Sequence, residues 1–459
     1  MALKSVIDWL VRPANPSTGQ GVGSGYKPSA ELAGAGAINI QVCDFDGPDG
    51  RRVAQRIVGF LGGTPRVHVQ HMPKQLKQPD QGGMVEKLLG AAESGRKWLV
   101  ESSCDVLLWG ETTGADGKLT IRFLCAAADA DVKAGSFGLG DTLEMATAYD
   151  PGLEKMIFAA AVGAVAPRKP KAVRGELSEI LATTTLTLAA FVDTPPDDLE
   201  KKQLASFMTC LGTIFAALWR VGGDSACLDR AIKAYRVVLS QQHDPEDPVG
   251  YALTQNHMAS ALQALSKRDN KPEPLKYAAD CYRSIIAVLG PHTHANDWAL
   301  AQIHLGDVLV SLSNSGDPEK HLKGASAAYQ NALKIFTRQT MPGPWAQLMN
   351  QLGVTLMTLS ESNENNKSLD HAASCFRQAL EIRRRDVAPL LWAQTANNLG
   401  AVTFSIYKTS NNSGLLNEAA QCFEGAAEVY GKHGRKDTAR IANNNLERIR
   451  QIQAENPTS

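Results

Sequence analysis

The chain has 459 residues, of which 44% are apolar and 20% are charged, as in an ordinary globular protein. Lysine plus arginine and aspartate plus glutamate each number 47, so the formal net charge is zero. This balance argues against a nucleic-acid or anionic-membrane partner, because binding to phosphates needs clustered positive charge. We interpret the one tight basic run, Arg383–Arg385, as a solvated helix end. The eight cysteines include no Cys-x-x-Cys pair, which argues against a disulfide framework and a structural zinc site.

The N-terminal segment, residues 1–37, combines a short amphipathic helix with a flexible linker. Apolar residues recur at helical spacing over residues 3–11, and glycine, proline and serine are frequent in residues 13–37. The helix docks either on the body of the protein or on a membrane or partner. Asp8 interrupts the apolar stretch, which is atypical of a signal peptide, and no apolar run reaches the ~20 residues that span a bilayer. We therefore expect a cytoplasmic protein without a transmembrane segment.

Residues 38–166 alternate between strand-like and helix-like patterns. Short apolar stretches with a period of two predict strands, and stretches with one apolar face predict helices. In chain order these are a strand at 38–42, a helix at 52–61, a strand at 66–70, a helix at 84–92, a hairpin of 106–109 with 118–124 and a helix at 158–165. Strands that alternate with helices predict a small α/β domain.

A family resemblance of this domain is carried by the opening strand with Phe45 and Gly47, and by the later segment Ser103–Glu111. These residues resemble the amino-terminal α/β domain of TolB and similar modules joined to repeat arrays in bacteria. In that family a helix ends at a short apolar strand that closes in Gly-Glu or Gly-Ser before a hairpin. The resemblance implies a fold for the domain and leaves its role open between regulation and oligomerisation.

From Leu228 onward, the same residue types return every 47 positions. One register holds leucine, then alanine three residues later, then an aromatic residue. The aromatic register consists of Tyr235, Tyr282, Tyr329, Phe376 and Phe423. A second register holds a small residue, mostly after leucine, at Gly212, Ala259, Gly306, Gly353 and Gly400. A fixed period of this size predicts a stacked array in which each unit covers the apolar face of its neighbour.

These registers resemble the tetratricopeptide repeat, with Leu-Gly in the first helix of a pair and alanine and an aromatic residue in the second. The period is longer than usual, as in the kinesin light chains, whose repeats the phrase Ala396–Gly400 resembles. The extra residues lengthen either the helices or the loop between them. The resemblance implies an all-α superhelical solenoid over residues 174–456, with about five helix pairs and a closing helix. We attribute the mid-helix glycines, each costing about 1 kcal/mol against alanine, to the close approach of a neighbouring helix backbone.

In the tetratricopeptide family the first helix of each pair lines a concave groove, and the resemblance implies that this groove binds a peptide or protein. The positions three before, one after and four after the small residue face inward. The candidate groove residues are Asn256, Ile303, Asp307, Asn350, Val354, Met357, Asn397 and Phe404. Asparagine offers a donor and an acceptor to a peptide backbone, and the apolar positions select side chains. Alternatively, the asparagines connect neighbouring repeats, and Asn398 instead of Asn397 faces inward.

One enzymatic alternative comes from Val42–Gly47, which resembles the first motif of haloacid-dehalogenase-type phosphatases. In that family Asp44 would be the nucleophile and Asp46 the acid or base, with magnesium held by carboxylates. The residues around Asp141 resemble the later metal motif. Pro48 replaces the threonine of the motif, and the other interpretation is a turn after the first strand.

Taken together, these patterns predict a non-enzymatic adaptor that binds a partner protein in the groove of the array, with a regulatory or oligomerising α/β domain. The first alternative is a regulatory protein that senses a ligand or nucleotide through the α/β domain. The second alternative is the phosphatase. We expect no cofactor and no metal, and a homo-oligomer is compatible with the sequence.

Overall fold

The computed structural model describes two compact units, residues 38–289 and residues 290–455. Within these ranges it does not describe residues 65, 79–83, 114–116, 127–132, 148, 150–152, 198, 242–246 and 364–365. The helix and linker predicted for residues 1–37 also lie outside the described residues. The predicted fold class, an α/β domain followed by tetratricopeptide-like helix pairs, is confirmed.

A five-stranded sheet lies at the centre of the α/β domain, in the order β2-β1-β3-β4-β5. Its strands are β1 Ile38–Asp44, β2 Val67–Gln75, β3 Val106–Thr113, β4 Lys118–Cys125 and β5 Thr142–Ala146. β1 runs parallel to β2 and β3, whereas β3, β4 and β5 pair antiparallel. The first four strands confirm the predicted strands and hairpin. β5 has no predicted counterpart, because five residues are too few to establish a period.

Three helices pack with this sheet, and they are α1 Gly50–Gly62, α2 Met84–Ser102 and α3 Glu154–Val165. Val53, Ile57 and Leu61 recur at helical spacing on α1 and are buried, which explains the apolar stripe in the sequence. α3 differs, since every residue from Met156 to Val165 is buried. It contacts β1, β3 and β4 and is therefore a core helix.

Six further α-helices follow among the described residues of the first unit: α4 Lys171–Leu188, α5 Ala190–Asp193, α6 Lys201–Val221, α7 Ser225–Gln241, α8 Pro248–Asp269 and α9 Glu273–Leu289. The first two predicted helix pairs are α6 with α7 and α8 with α9. Among the described helices, α6 alone is long and apolar enough to cross a membrane, and 78% of its most apolar window is buried. Its contacts with β5, α3, α4 and α7 identify it as a core helix of this unit.

The α/β domain and the first helix pairs share a buried junction within the first unit. Gly135, with a φ of +75°, packs so closely on α6 that a methyl group there would lie 2.2 Å from the backbone nitrogen of Ala217. Asp141 Oδ1 lies 2.7 Å from Nε2 of His257 on α8, and these side chains are 4% and 3% exposed. The His257 ring also stacks on Tyr235. The α/β domain and the helix pairs thus pack against each other within one compact unit. The domain boundary expected between residues 166 and 174 stays a prediction.

We expect replacement of His257 by alanine to destabilise the first unit by roughly 3 kcal/mol, since it leaves the Asp141 carboxylate buried without this partner. The urea midpoint of the full chain, followed by far-ultraviolet circular dichroism, measures the effect. His371→Ala is the matched control, because His371 is exposed. Equal midpoints for the two variants would contradict a stabilising role for the junction.

Seven helices form the described part of the second unit: α10 Ala295–Ser313, α11 Pro318–Leu333, α12 Pro342–Asn363, α13 Asn366–Ile382, α14 Pro389–Ser410, α15 Ser413–Lys432 and α16 Lys436–Glu455. α10 with α11, α12 with α13 and α14 with α15 form three pairs, and α16 is the predicted closing helix. The extra residues of the long repeat extend the first helix of a pair, since α12 continues to Asn363 and α13 begins at Asn366.

Each glycine of the small-residue register lies against the aromatic ring of its own helix pair. A methyl group added at Gly353 would lie 2.7 Å from the ring of Phe376, and one at Gly306 would lie 2.5 Å from the ring of Tyr329. The other contacts of this kind join Gly212 to Tyr235 and Gly400 to Phe423. The neighbour that requires glycine is therefore an aromatic side chain, and not the helix backbone that the sequence suggested.

We expect Gly353→Ala to lower the free energy of unfolding by about 1–3 kcal/mol, although alanine is the better helix former. The buried Phe376 ring would have to move to admit the methyl group. Gly343→Ala in the same helix is the matched control, since no atom lies within 4 Å of that position. Scanning calorimetry of the full chain compares the two. A Gly353→Ala variant as stable as the control would show that the ring does not require glycine.

A polar cluster also recurs with the repeat period in the second unit. Arg338 lies over the ring of Trp345 and pairs with Glu381 at 2.5 Å. One repeat later the same cluster consists of Arg385, Trp392 and Glu428. The repeat therefore preserves contacts between side chains at the ends of the helix pairs as well as the apolar core.

Candidate partner-binding face

The first helices of the pairs in the second unit carry six of the predicted groove residues. All six have intermediate exposure, between core and solvent: Ile303, Asp307, Val354, Met357, Asn397 and Phe404. We call these six residues the A-helix face. They lie on α10, α12 and α14, with two residues on each helix. Partly exposed apolar side chains beside polar ones are typical of surfaces that bind a peptide.

The other two predicted groove residues are buried. Asn256 in the first unit is 5% exposed, and Asn350 on α12 is 4% exposed. Asn350 Oδ1 accepts hydrogen bonds from Thr395 Oγ1 at 3.1 Å and from Asn398 Nδ2 at 3.2 Å. Asn350 thus connects neighbouring repeats, which is the alternative that the spacing left open. Its direct contact with a partner stays a prediction.

Arg383 extends this connection between repeats. The side chain is 4% exposed, donates to Thr395 Oγ1 at 2.8 Å and donates to Gln347 Oε1. It forms no ion pair within the described part of the chain, and burial lowers the pKa of its guanidinium. The interpretation of Arg383–Arg385 as a solvated helix end is therefore wrong for Arg383. Sequence alone does not show which of three adjacent arginines turns inward.

Asp307 is the one ionisable residue of the A-helix face. Its Oδ1 accepts hydrogen bonds from Tyr329 Oη at 2.6 Å and from Gln351 Nε2 at 2.7 Å. Its Oδ2 accepts no hydrogen bond from the described residues. This oxygen is not fully buried, so it is reachable from the surface. No basic side chain among those residues pairs with the carboxylate.

Burial raises the pKa of the Asp307 carboxyl from 3.8 to about 6, and the hydrogen bonds from Tyr329 and Gln351 offset part of this effect. No charged neighbour contributes to the shift. At neutral pH the face therefore holds a partly desolvated carboxylate without a counter-ion among the described residues. Such a group interacts more strongly with a cation than a fully solvated carboxylate does.

A change within the aromatic register marks the tyrosine that holds Asp307. Where the residue after the small position is polar, the aromatic residue is tyrosine, and where it is apolar, the aromatic residue is phenylalanine. The pairs are Thr213 with Tyr235, Ser260 with Tyr282, Asp307 with Tyr329, Val354 with Phe376 and Ala401 with Phe423. The structure explains this pattern, because the Tyr329 ring crosses Gly306 and its hydroxyl reaches Asp307. This signal was available in the sequence, and the groove prediction did not use it.

Phe404, on the last of the three helices, lies among aromatic and basic side chains. Its ring centroid is 6.3 Å from that of Tyr407, with the planes 12° apart. Lys408 Nζ lies 4.8 Å from the Phe404 ring centroid, and Arg448 Cζ of α16 lies 5.7 Å from it. The A-helix face therefore has a carboxylate on α10, and two basic groups outside the face lie beside its Phe404 on α14.

Two of the three acidic residues of the phosphatase alternative, Asp44 and Asp141, pair with histidines, whereas Asp46 is exposed. Asp44 pairs with His71 at 2.8 Å, and Asp46 accepts a hydrogen bond from the next backbone N–H. Asp141 uses both carboxylate oxygens, one with His257 and one with a backbone N–H. Among the described residues, no three His, Cys, Asp or Glu side chains form a group that could hold a metal. These contacts favour the interpretation of the Asp44 region as a turn.

One sheet face of the α/β domain collects buried polar side chains. Trp109 and Arg122 are opposite each other on β3 and β4, and Gln41 on β1 shares their face by register. Gln41 Oε1, Trp109 Nε1 and Arg122 Nε have no hydrogen-bond partner among the described residues. This cluster is the feature that most resembles a ligand site in the domain. The ligand-sensing alternative stays a prediction.

No protein-family model and no curated protein matches the sequence. Among solved structures, MamA is 18% identical, with 46% of this chain and 92% of MamA covered and a TM-score of 0.32. The apo form of RapI is 14% identical, with 66% and 100% covered and a TM-score of 0.34. A circular tandem repeat protein is 15% identical, with 66% and 84% covered and a TM-score of 0.29. These low scores carry no argument about function, and the resemblance of the α/β domain to TolB stays a prediction.

We expect Asp307→Asn to stabilise the protein near neutral pH. The folded pKa of Asp307 is raised, so its contribution to stability is fully present below about 3.8 and is lost as the pH rises through about 6. The shift corresponds to at most about 3 kcal/mol. Unfolding midpoints of the full chain between pH 4 and pH 7 measure this. Asp370→Asn, at an exposed position, is the control. A difference between the two variants that does not grow with pH would contradict the assignment.

Proposed function

We propose that this protein is an adaptor that holds an extended segment of a partner protein on the A-helix face, without catalysing a reaction. The observation that supports this proposal is the set of six half-buried residues on three successive first helices, with an accessible carboxylate oxygen on Asp307. Stacked helix pairs bring such positions together from neighbouring repeats and create a continuous surface. Apolar positions then select side chains of the bound segment, and polar positions orient it.

For the α/β domain we propose a regulatory or oligomerising role. The buried pair of Asp141 and His257 supports a mechanical connection between this domain and helix α8. Asp44 and Asp141, two of the acidic residues that a phosphatase would use, are paired with His71 and His257, which supports a non-enzymatic role for the domain.

We expect Met357→Glu to abolish the binding of peptides that the full chain selects from a random phage-displayed library. Met357 is half-buried at the centre of the A-helix face, and a charge there would be desolvated by a bound apolar side chain. Val387→Glu adds the same charge at a position that is 72% exposed in the loop before α14. Fluorescence polarisation with the selected peptides should show a loss of at least about tenfold in affinity for Met357→Glu alone.

Equal affinity of the selected peptides for Met357→Glu, Val387→Glu and the parent chain would overturn this proposal. The circular dichroism spectrum of each variant must match that of the parent chain, so that a loss of binding is not a loss of folding.

A further inference from the structure

We propose that Asp307 selects the partner by accepting a hydrogen bond, through Oδ2, from the ammonium group of a lysine side chain in the bound segment. This inference rests on the proposed function, because it names the chemistry that the A-helix face recognises.

The hydrogen bonds of Asp307 leave a single oxygen for a partner. Tyr329 and Gln351 both donate to Oδ1, at 2.6 Å and 2.7 Å. A guanidinium binds a carboxylate best through two parallel bonds, one to each oxygen. An ammonium is a compact donor that needs only one acceptor oxygen from this residue. The occupied Oδ1 therefore favours lysine over arginine.

The charge of Asp307 is unbalanced within the described residues. No basic side chain there pairs with it, and its two hydrogen-bond donors are neutral. Both donors also fix the carboxylate in one orientation before a partner binds, so that little side-chain entropy remains to be lost. A cation supplied by a partner completes this site, whereas an acidic side chain would meet repulsion in a partly desolvated environment.

The neighbours of Asp307 on the face suit the apolar part of a lysine side chain. Ile303 lies one helical turn before Asp307 and is half-buried, like the carboxylate. Val354 holds the same register position in the next repeat and packs on the core cluster of its own pair. The four methylene groups of lysine gain from such apolar contacts while the ammonium reaches a polar atom.

Binding of a lysine should be linked to pH. The pKa of free Asp307 is raised to about 6, and a bound cation lowers it, so the partner binds the deprotonated form. Affinity should therefore increase about tenfold as the pH rises from 5 to 7 and level off above that. The groups that face Asp307 are Tyr329 from α11 and Gln351 from α12, and His304 lies three residues before it on α10. Asp307→Asn retains all three, so it isolates the contribution of the carboxylate.

The test is a parallel selection of random phage-displayed peptides on the full chain, on Asp307→Asn and on Asp370→Asn as a matched loss of one exposed charge. The full chain and Asp370→Asn should both enrich lysine at a fixed position, and Asp307→Asn should not. Synthetic versions of a selected peptide with lysine, arginine or glutamine at that position then complete a double-mutant cycle by fluorescence polarisation. We expect lysine to bind at least tenfold more tightly than glutamine to the full chain, more tightly than arginine, and no better than glutamine to Asp307→Asn.

An equal lysine preference in the full chain and in Asp307→Asn would overturn the inference, and so would affinity that does not change between pH 5 and pH 7. Arginine that binds as tightly as lysine would overturn the assignment to a single oxygen. The Met357→Glu variant separates these failures from a failure of the proposed function. If Met357→Glu abolishes binding while Asp307→Asn changes nothing, the face binds peptides and the role of Asp307 is wrong. If Met357→Glu has no effect on binding, the proposal that the A-helix face binds the peptide is wrong.

Discussion

The contact between a mid-helix glycine and the aromatic ring of the following helix sets the spacing within the helix pairs. In the pair of α12 and α13, the Phe376 ring occupies the space that a side chain at position 353 would need. The two helices can approach only because that space is empty, and the glycine's weak helix propensity is offset by burial of the ring. The same contact at Gly306 and Tyr329 places a hydroxyl beyond the glycine, where it meets Asp307. The contact between glycine and ring thus sets the packing of the helix pair. In the pair of α10 and α11 it also places the hydroxyl that holds Asp307, the only ionisable residue of the A-helix face.

Buried polar contacts then hold neighbouring pairs in register in the second unit. Asn350 accepts from α14, and Arg383 donates to residues of α12 and α14 although no carboxylate among the described residues balances its charge. A buried polar group contributes little net stability, yet leaving one unpaired costs more than the bond itself gains. Such contacts therefore disfavour a slip of α14 along α12, so that the half-buried side chains of these two helices keep their relative positions.

The repeat made most of the fold predictable from sequence, because the small-residue and aromatic positions recur five times with the same spacing. The aromatic and glycine registers gave the helix pairs, and apolar periodicity gave α1 and the first four strands. The details that the spacing does not decide depend on side-chain direction. Nothing in the spacing shows that Asn350 turns into the interface or that Arg383 is the buried member of its basic run. Likewise, the pairing of Asp141 with His257 joins residues that are distant in sequence, and no local pattern reports it. By contrast, the tyrosine-to-phenylalanine change beside Asp307 is a local signal, because it follows from the contact between a mid-helix glycine and the ring of the same pair.

A partner held on the proposed face would occupy the first helices of the second unit. Hydrogen–deuterium exchange of the full chain, with and without a saturating selected peptide, tests it most directly, because it reports on every segment at once. We expect slower exchange in α10, α12 and α14, with the strongest effect around Asp307 and Met357. Protection confined to the α/β domain or to α11, α13 and α15 would contradict it.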